Sequence, residues 1–314
     1  MNKQSVDVLT TIAFLNIKKG LSIICFLTAL MSCQTSIARQ NDLVVRSTLA
    51  GGIVYMLDCE NGFSGGNVAA SIGPDGILLV DDMFKANTPK VLDALKEISD
   101  KSVRIVVNSH FHSDHIQGNS VLSGSATIVA HENLIKRLKA EGSWAKQEDY
   151  PHITYSEKLT IHFNGEQIQV FHLPNGHTDG DTFVYFTGSK VIHLGDTFFN
   201  GMFPAVYKSG GGDLLQLISN MEQILKDTPS DVKFIPGHGN LATKEEFAAY
   251  VDMLKKSTSL VGAAIEKGAS LDQLKEDNIL AKYSSLGEGG AQTTEEYLTM
   301  LYKLLSEQTA SQNK

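Results

Sequence analysis

The chain has 314 residues, 42% hydrophobic and 20% charged, the proportions of a folded globular protein rather than a disordered, collagenous or coiled-coil one. Its formal net charge of −8 is an acidic balance that repels phosphate backbones and anionic lipid surfaces, so nucleic-acid processing is disfavoured. With three cysteines, a disulfide scaffold is not expected.

At the N-terminus, Lys18 and Lys19 precede an apolar run from Leu21 to Met31, and Ser32-Cys33 follows. This pattern describes a secretory signal peptide over residues 1–33. The run is shorter than the ~20 apolar residues of a membrane-spanning helix. Two ways of cleaving it stay open. Leu30-Met31-Ser32-Cys33 looks like a bacterial lipobox, in which Cys33 carries a lipid anchor, while Ser36-Ile37-Ala38 offers a cut for the ordinary signal peptidase. Either way the expectation is export, to the periplasm or to a membrane-anchored lipoprotein. Loss of residues 1–33 removes three Lys and one Asp and moves the formal charge from −8 to −10. Cys59 then stands alone, as a small buried residue rather than a nucleophile.

Residues 34–314 are expected to form a single domain with a helical C-terminal part. Short strand-like runs begin near Leu43. Ile53–Leu57 and Val68–Ile72 flank a Gly-rich bend at Asn61–Asn67, and Ile77–Val80 follows the turn Pro74-Asp75-Gly76, all as an antiparallel meander. Thr88, as cap, and Pro89 open a helix whose buried face carries Val91, Leu92, Leu95 and Ile98. Val103–Val107 and Thr127–Ala130 are buried strands, with a helix from Glu132 to Ala140 after the second. Hairpins are expected around Asn164-Gly165 and Gly188-Ser189. Leu214–Leu225 is helical, Lys233–Ile235 a strand, and Lys244–Ile265 a long helix; the rest, to Leu305, is helix-forming. The alternation predicts an α/β fold of two sheets packed face to face with helices outside.

The segment that carries chemistry is His110-Phe111-His112-Ser113-Asp114-His115, directly after a buried strand. His110 and His112 are two residues apart and in an extended turn project to one side, where both can reach one metal ion. Asp114 shares that parity, and His115 can turn toward a neighbouring ion. Three later positions can complete two sites: His177 in Asn175-Gly176-His177, Asp196 after Gly195, and His238 between Gly237 and Gly239. Each sits beside a glycine at a strand end, where backbone can approach an ion closely.

HxHxDH, then GHTxGD, a strand-end Asp and PGHG resemble the metallo-β-lactamase superfamily, over about Val54 to Leu241. The resemblance implies a four-layer αββα sandwich. It implies that His110, His112 and His177 bind a first metal, that Asp114, His115 and His238 bind a second, and that Asp196 bridges them. Imidazole with carboxylate suits two Zn²⁺, with iron or manganese as alternatives. The chemistry implied is hydrolysis of a carbonyl ester, thioester, lactone or amide of a small-molecule substrate by a metal-bridging hydroxide, with Asp114 orienting it and relaying a proton. Asp81, at the end of a buried strand, is a candidate to support a ligand histidine.

One class of β-lactamases in the superfamily has Cys at the Asp196 position and Lys three residues later, and another has Ser there. This chain has Asp196-Thr197-Phe198-Phe199, and an Asp at that position resembles the bridging Asp of glyoxalase II, lactonases and other hydrolases. Rival functions are a mononuclear iron persulfide dioxygenase and a metal-dependent phosphodiesterase. For a substrate wall, Phe63, Trp144, Phe199 and Phe203 are candidates, with packing under a loop as the alternative. His131, His152, His162, His172 and His193 read as structural.

Overall fold

The computed structural model describes residues 43–60, 64–140 and 142–312. The expected signal segment and Phe63 lie outside the described residues. Val45–Lys314 forms one compact unit. Its first sheet runs β1 (Val45–Gly51), β2 (Val54–Cys59), β3 (Val68–Gly73), β4 (Gly76–Val80), β5 (Val103–Val107), β6 (Thr127–His131) and β7 (Ile153–Tyr155), in that spatial order. The first four strands pair antiparallel, as expected of the meander, and β4 to β7 pair parallel. The second sheet has the order β12-β11-β10-β9-β8, from β8 (Lys158–Phe163), β9 (Glu166–His172), β10 (Thr182–Phe186), β11 (Val191–His193) and β12 (Lys233–Ile235). The first hairpin turns at Asn164 and Gly165, both at positive φ, the turn whose twist matches its flanking strands. The second, around Gly188 and Ser189, joins β10 to β11 antiparallel.

Side-chain alternation explains why the strands carry two cores. On β4, Leu78 and Val80 face the second sheet, where they join Val107, Val129, Val170, Val184, Phe186 and Ile235. Ile77 and Leu79 point the other way, toward Val91 and Leu95 of α1 (Thr88–Lys96) and Leu122 of α3 (Asn119–Leu122). Strands covered on both faces read as continuous apolar runs, as β4 does. The outer face of the second sheet is covered by α5 (Leu214–Asp227), α6 (Lys244–Glu266) and α8 (Thr294–Gln312) through a third core that includes Ile192, Leu217, Leu254 and Leu301. The result is the four-layer αββα sandwich expected.

Local details differ from expectation. The residue that caps α1 is Asn87, not Thr88; the Thr88 hydroxyl is buried and donates to the carbonyls of Asp82 and Phe84. Residues 144–155, for which the sequence signalled no element, contain the edge strand β7 and a short 3₁₀ helix, Gln147–Asp149. Cys59 is only half-buried, and burial pushes its thiol up to about 11, so it is not a ready nucleophile. Among the described residues no helix is long and apolar enough to cross a membrane.

Candidate metal centre

The strands β4 and β5 of the first sheet, with β9, β11 and β12 of the other, deliver the loops that carry chemistry to one edge of the sandwich. His110 and His112 follow β5, and α2 (Ser113–Ile116) begins within the same motif, which turns His115 back under Asp114. His177 follows β9, Asp196 lies in the short 3₁₀ helix Gly195–Thr197 after β11, and His238 follows β12.

The structure gathers all seven side chains into two adjoining groups. In the first, His112 Nδ1 lies 3.1 Å from His110 Nε2 and 2.9 Å from His177 Nε2. Asp196 Oδ2 stands 3.7 Å and 3.4 Å from those two Nε2 atoms. In the second, His238 Nε2 is 3.2 Å from Asp114 Oδ2 and 3.4 Å from His115 Nε2, and His115 Nε2 is 3.6 Å from Asp114 Oδ2. The other oxygen of Asp196, Oδ1, is 3.0 Å from His115 and 3.4 Å from His238. One carboxylate thus faces both groups, an oxygen to each.

This donor set fits metal ions. Ligands 2.0–2.1 Å from a tetrahedral ion lie about 3.4 Å from each other, close to the separations found here. Hydrogen bonds on the far side of the rings fix where the lone pairs point. His177 Nδ1 donates to the Ala205 carbonyl at 2.6 Å, and His115 Nδ1 to Asp81 Oδ2 at 2.7 Å. Ser109 Oγ gives its proton to Asp81 and so accepts from His110 Nδ1 at 3.0 Å. In each of these three rings the remaining nitrogen, Nε2, faces inward, the position from which it can ligate a metal once it carries no proton. Asp196 Oδ1 is buried and has no well-aligned hydrogen-bond donor, a cost that a cation would remove.

Electrostatics separates the groups. Burial holds His110 well below the ordinary imidazole range, and burial followed by the neighbouring His177 brings His112 down to about 4, so both are neutral near pH 7. For His115, burial opposes the charged form, but Asp196, Asp114 and Asp81 outweigh it and raise the imidazole. Burial likewise opposes ionisation of Asp196 and Asp114, yet His115 and His238 keep both below the usual carboxylate range.

The supporting contacts explain the glycines and the strain. Asp81 sits at φ +65°, a left-handed conformation costly for a residue with a side chain. From there its carboxylate takes three donors at 2.7 Å: Ser109 N, Ser109 Oγ and His115 Nδ1. A Cβ on Gly66 would fall 2.1 Å from the His115 ring, and one on Gly237 would fall 2.0 Å from Asp196 Oδ1. Gly66 N donates to the Asp114 carbonyl, and Asn67 grips the His238 loop, its side chain donating to Pro236 and Gly239 and its backbone N to Gly237. Residues 64–67 are therefore bound between ligand loops rather than a free flap. His193, buried beside them, donates to the Asn67 carbonyl from Nε2.

A cleft of about 360 Å³ opens beside His112 and His177, and Phe111, Arg137, Trp144 and Tyr207 are in its walls. Of the four aromatic wall candidates, Trp144 is there. Phe199 is fully buried and packs against the His238 ring, centroids 5.4 Å apart, so it supports a ligand and forms no cleft wall. Phe203 is a correction: it stacks on Tyr297 at 4.2 Å in the helical core, because that apolar pocket buries both faces of its ring. Sequence reasoning missed Phe111, Arg137, Tyr207 and Asn67. Only Phe111, inside the HxHxDH motif, had a local signal. Arg137 spends its charge on a bidentate pair with Asp179, 3.1 and 2.7 Å, and donates to the Ser209 carbonyl.

A two-sheet sandwich with paired His/Asp groups at one edge defines a metallo-hydrolase with a dinuclear site. Residues 64–239 match the metallo-beta-lactamase superfamily, and the chain belongs to that family. It is 25% identical over 181 residues to a hydroxyacylglutathione hydrolase of Pelagibacter ubique, covering 55% of this chain and 70% of that protein. A solved metallo-beta-lactamase from Pontibacter korlensis superposes with a TM-score of 0.58 at 18% identity, over 67% of this chain and 99% of its own. A double mutant of the sec-alkyl sulfatase PisA1 reaches 0.62 at 15% identity, over 86% of this chain and 51% of its own. At those identities the two structures show the fold.

Proposed function

We propose that this protein is a zinc-dependent hydrolase of carbonyl esters, thioesters, lactones or amides, with one ion on His110, His112 and His177, a second on Asp114, His115 and His238, and Asp196 shared. The observation that carries this is the division of the Asp196 carboxylate, Oδ2 toward the first group and Oδ1 toward the second. Two bound zinc ions would lower the pKa of water held between them and polarise the substrate carbonyl. The chain's own groups supply the rest. Asp114, its side chain 14% exposed, orients the attacking water. It then passes the water's proton to the departing oxygen, sulfur or nitrogen as the bond to the carbonyl carbon breaks. Asp81 and Ala205 hold His115 and His177 in the tautomer that leaves Nε2 free.

The relatives named hydroxyacylglutathione hydrolase support hydrolysis. A complete second group, Asp114 with His115 and His238, favours two ions over the single iron of a dioxygenase. The test is elemental analysis of the purified protein together with a panel of acyl ester, thioester, lactone and cephalosporin, each with and without chelator. About two zinc per chain and chelator-sensitive cleavage of a carbonyl substrate are expected. One iron per chain and a silent panel would overturn it.

A further inference from the structure

A second hollow adjoins the metal cleft. Tyr207 and Ser209, which stand in its wall, also line a groove of about 700 Å³ between the segment after Phe203 and α8. That volume is in the range of clefts that hold whole small ligands, roughly 300–1,000 Å³. Val206, Ala291, Met300 and Leu304 line the groove with apolar surface. Its cations, Lys208 and Lys303, are exposed and stand among Glu295, Glu296 and Glu307, and Lys208 reaches Glu307 at 2.6 Å. With three carboxylates against two ammonium groups, the groove offers no excess of positive charge to an anionic occupant. Two of the large hydrophobic side chains that the fold leaves exposed, Trp144 (42%) and Tyr207 (53%), lie along the path.

One further group points to a ligand. Gln292 lines the groove and is only 6% exposed; its Nε2 donates to the Tyr207 hydroxyl at 3.2 Å, and its Oε1 has no hydrogen-bond partner. A buried amide oxygen left unpaired is unfavourable unless something supplies a donor.

We infer that the groove holds the acyl chain of the substrate. The substrate class is then an ester, thioester or amide of a medium or long straight-chain acid, with its carbonyl at the metal centre. Its hydrocarbon tail passes Tyr207 onto Met300 and Leu304. Gln292 Oε1 accepts a hydrogen bond from a hydroxyl or amide N–H carried on that chain. This rests on the carbonyl-hydrolase function proposed above.

The test uses the metal-loaded full chain and Trp144, its single tryptophan, as the reporter in the cleft. Butanoate, hexanoate, octanoate and decanoate are titrated by tryptophan fluorescence, and nitrophenyl esters of the same acids are assayed in parallel. Burial of each methylene is expected to tighten binding by roughly two- to fourfold, which compounds to about 60- to 4,000-fold over the six methylenes from butanoate to decanoate. Thr299→Phe places a ring in the groove from an exposed position on α8, and should cut that preference to less than tenfold. Affinity independent of chain length, or a preference that Thr299→Phe leaves intact, would overturn the inference, even if short esters are cleaved. A length preference that Thr299→Phe abolishes would uphold the groove, and failure to cleave any ester would then fall on the proposed reaction alone.

Discussion

The two halves of the metal centre are built from different materials. The first group is three imidazoles, two of which are anchored from behind by neutral oxygens, Ser109 Oγ and the Ala205 carbonyl. The second has its own carboxylate, Asp114, and its His115 is backed by the ionisable Asp81. Asp196 is common to both. The neutral half therefore relies on Asp196 to balance a dication, whereas the other half concentrates negative charge and, without a cation, draws protons to His115. Geometry makes the sites neighbours; charge makes them unequal.

The variant that breaks the comparison outright is Asp196→Ala. Both halves lose a ligand at once, and kcat/KM should fall on the order of a thousandfold, the scale of several kcal/mol of transition-state stabilisation. Metal content should fall below two per chain by mass spectrometry. Equal metal content and activity in the variant would remove the shared role of Asp196. Next in size is Asp81→Asn, which keeps the shape but weakens the acceptor behind His115. A loss of about 10- to 100-fold in metal affinity or activity is expected, confined to one of the two ions in a stepwise chelator titration. Were both ions to weaken equally, the asymmetry would be lost.

Asn67→Ala cuts two side-chain hydrogen bonds that hold the His238 loop. It should cost about 1–3 kcal/mol in denaturant unfolding and weaken the same single ion as Asp81→Asn. The smallest expected effect lies behind the first group. His131 and His172 stack with ring centroids 3.7 Å apart, and His172 Nδ1 donates to the carbonyl of Asp181, whose carboxylate grips the backbone of His177. Burial holds both imidazoles below the ordinary value of 6.5, with each other's company adding to it at His131. Below 6.5 the unfolded chain therefore binds more protons than the folded one. Stability is fully present above that pH and declines as pH falls through the folded values. Urea midpoints measured from pH 7 to pH 5 should show this slope, and His172→Phe should flatten it.

The ligand set was legible because its signals are local. HxHxDH packs four donors into six residues, and glycines mark the strand ends that carry His177, Asp196 and His238. The sandwich was legible for a related reason: a short apolar run such as Ile77–Val80, set off by the turn Pro74-Asp75-Gly76, reads as a strand covered on both sides. What the sequence did not disclose depends on partners far along the chain. Phe203 and Phe199 sit four residues apart, yet one stacks on Tyr297 and the other on His238. No local rule distinguishes them. Likewise, the role of Asn67 appears only when the fold brings Pro236 and Gly239 to it, and the groove appears only when α8 closes over Tyr207. The missed edge strand β7 is three residues long, too short to show an alternation.

The most direct measurement of the central claim is anomalous diffraction from crystals of the zinc-loaded protein, collected at the metal edge. Two peaks about 3.5–4 Å apart are predicted, one enclosed by His110, His112 and His177, the other by Asp114, His115 and His238, with one Asp196 oxygen on each. A single peak, with His115 hydrogen-bonded to Asp114 or Asp196 in place of a second ion, would contradict it.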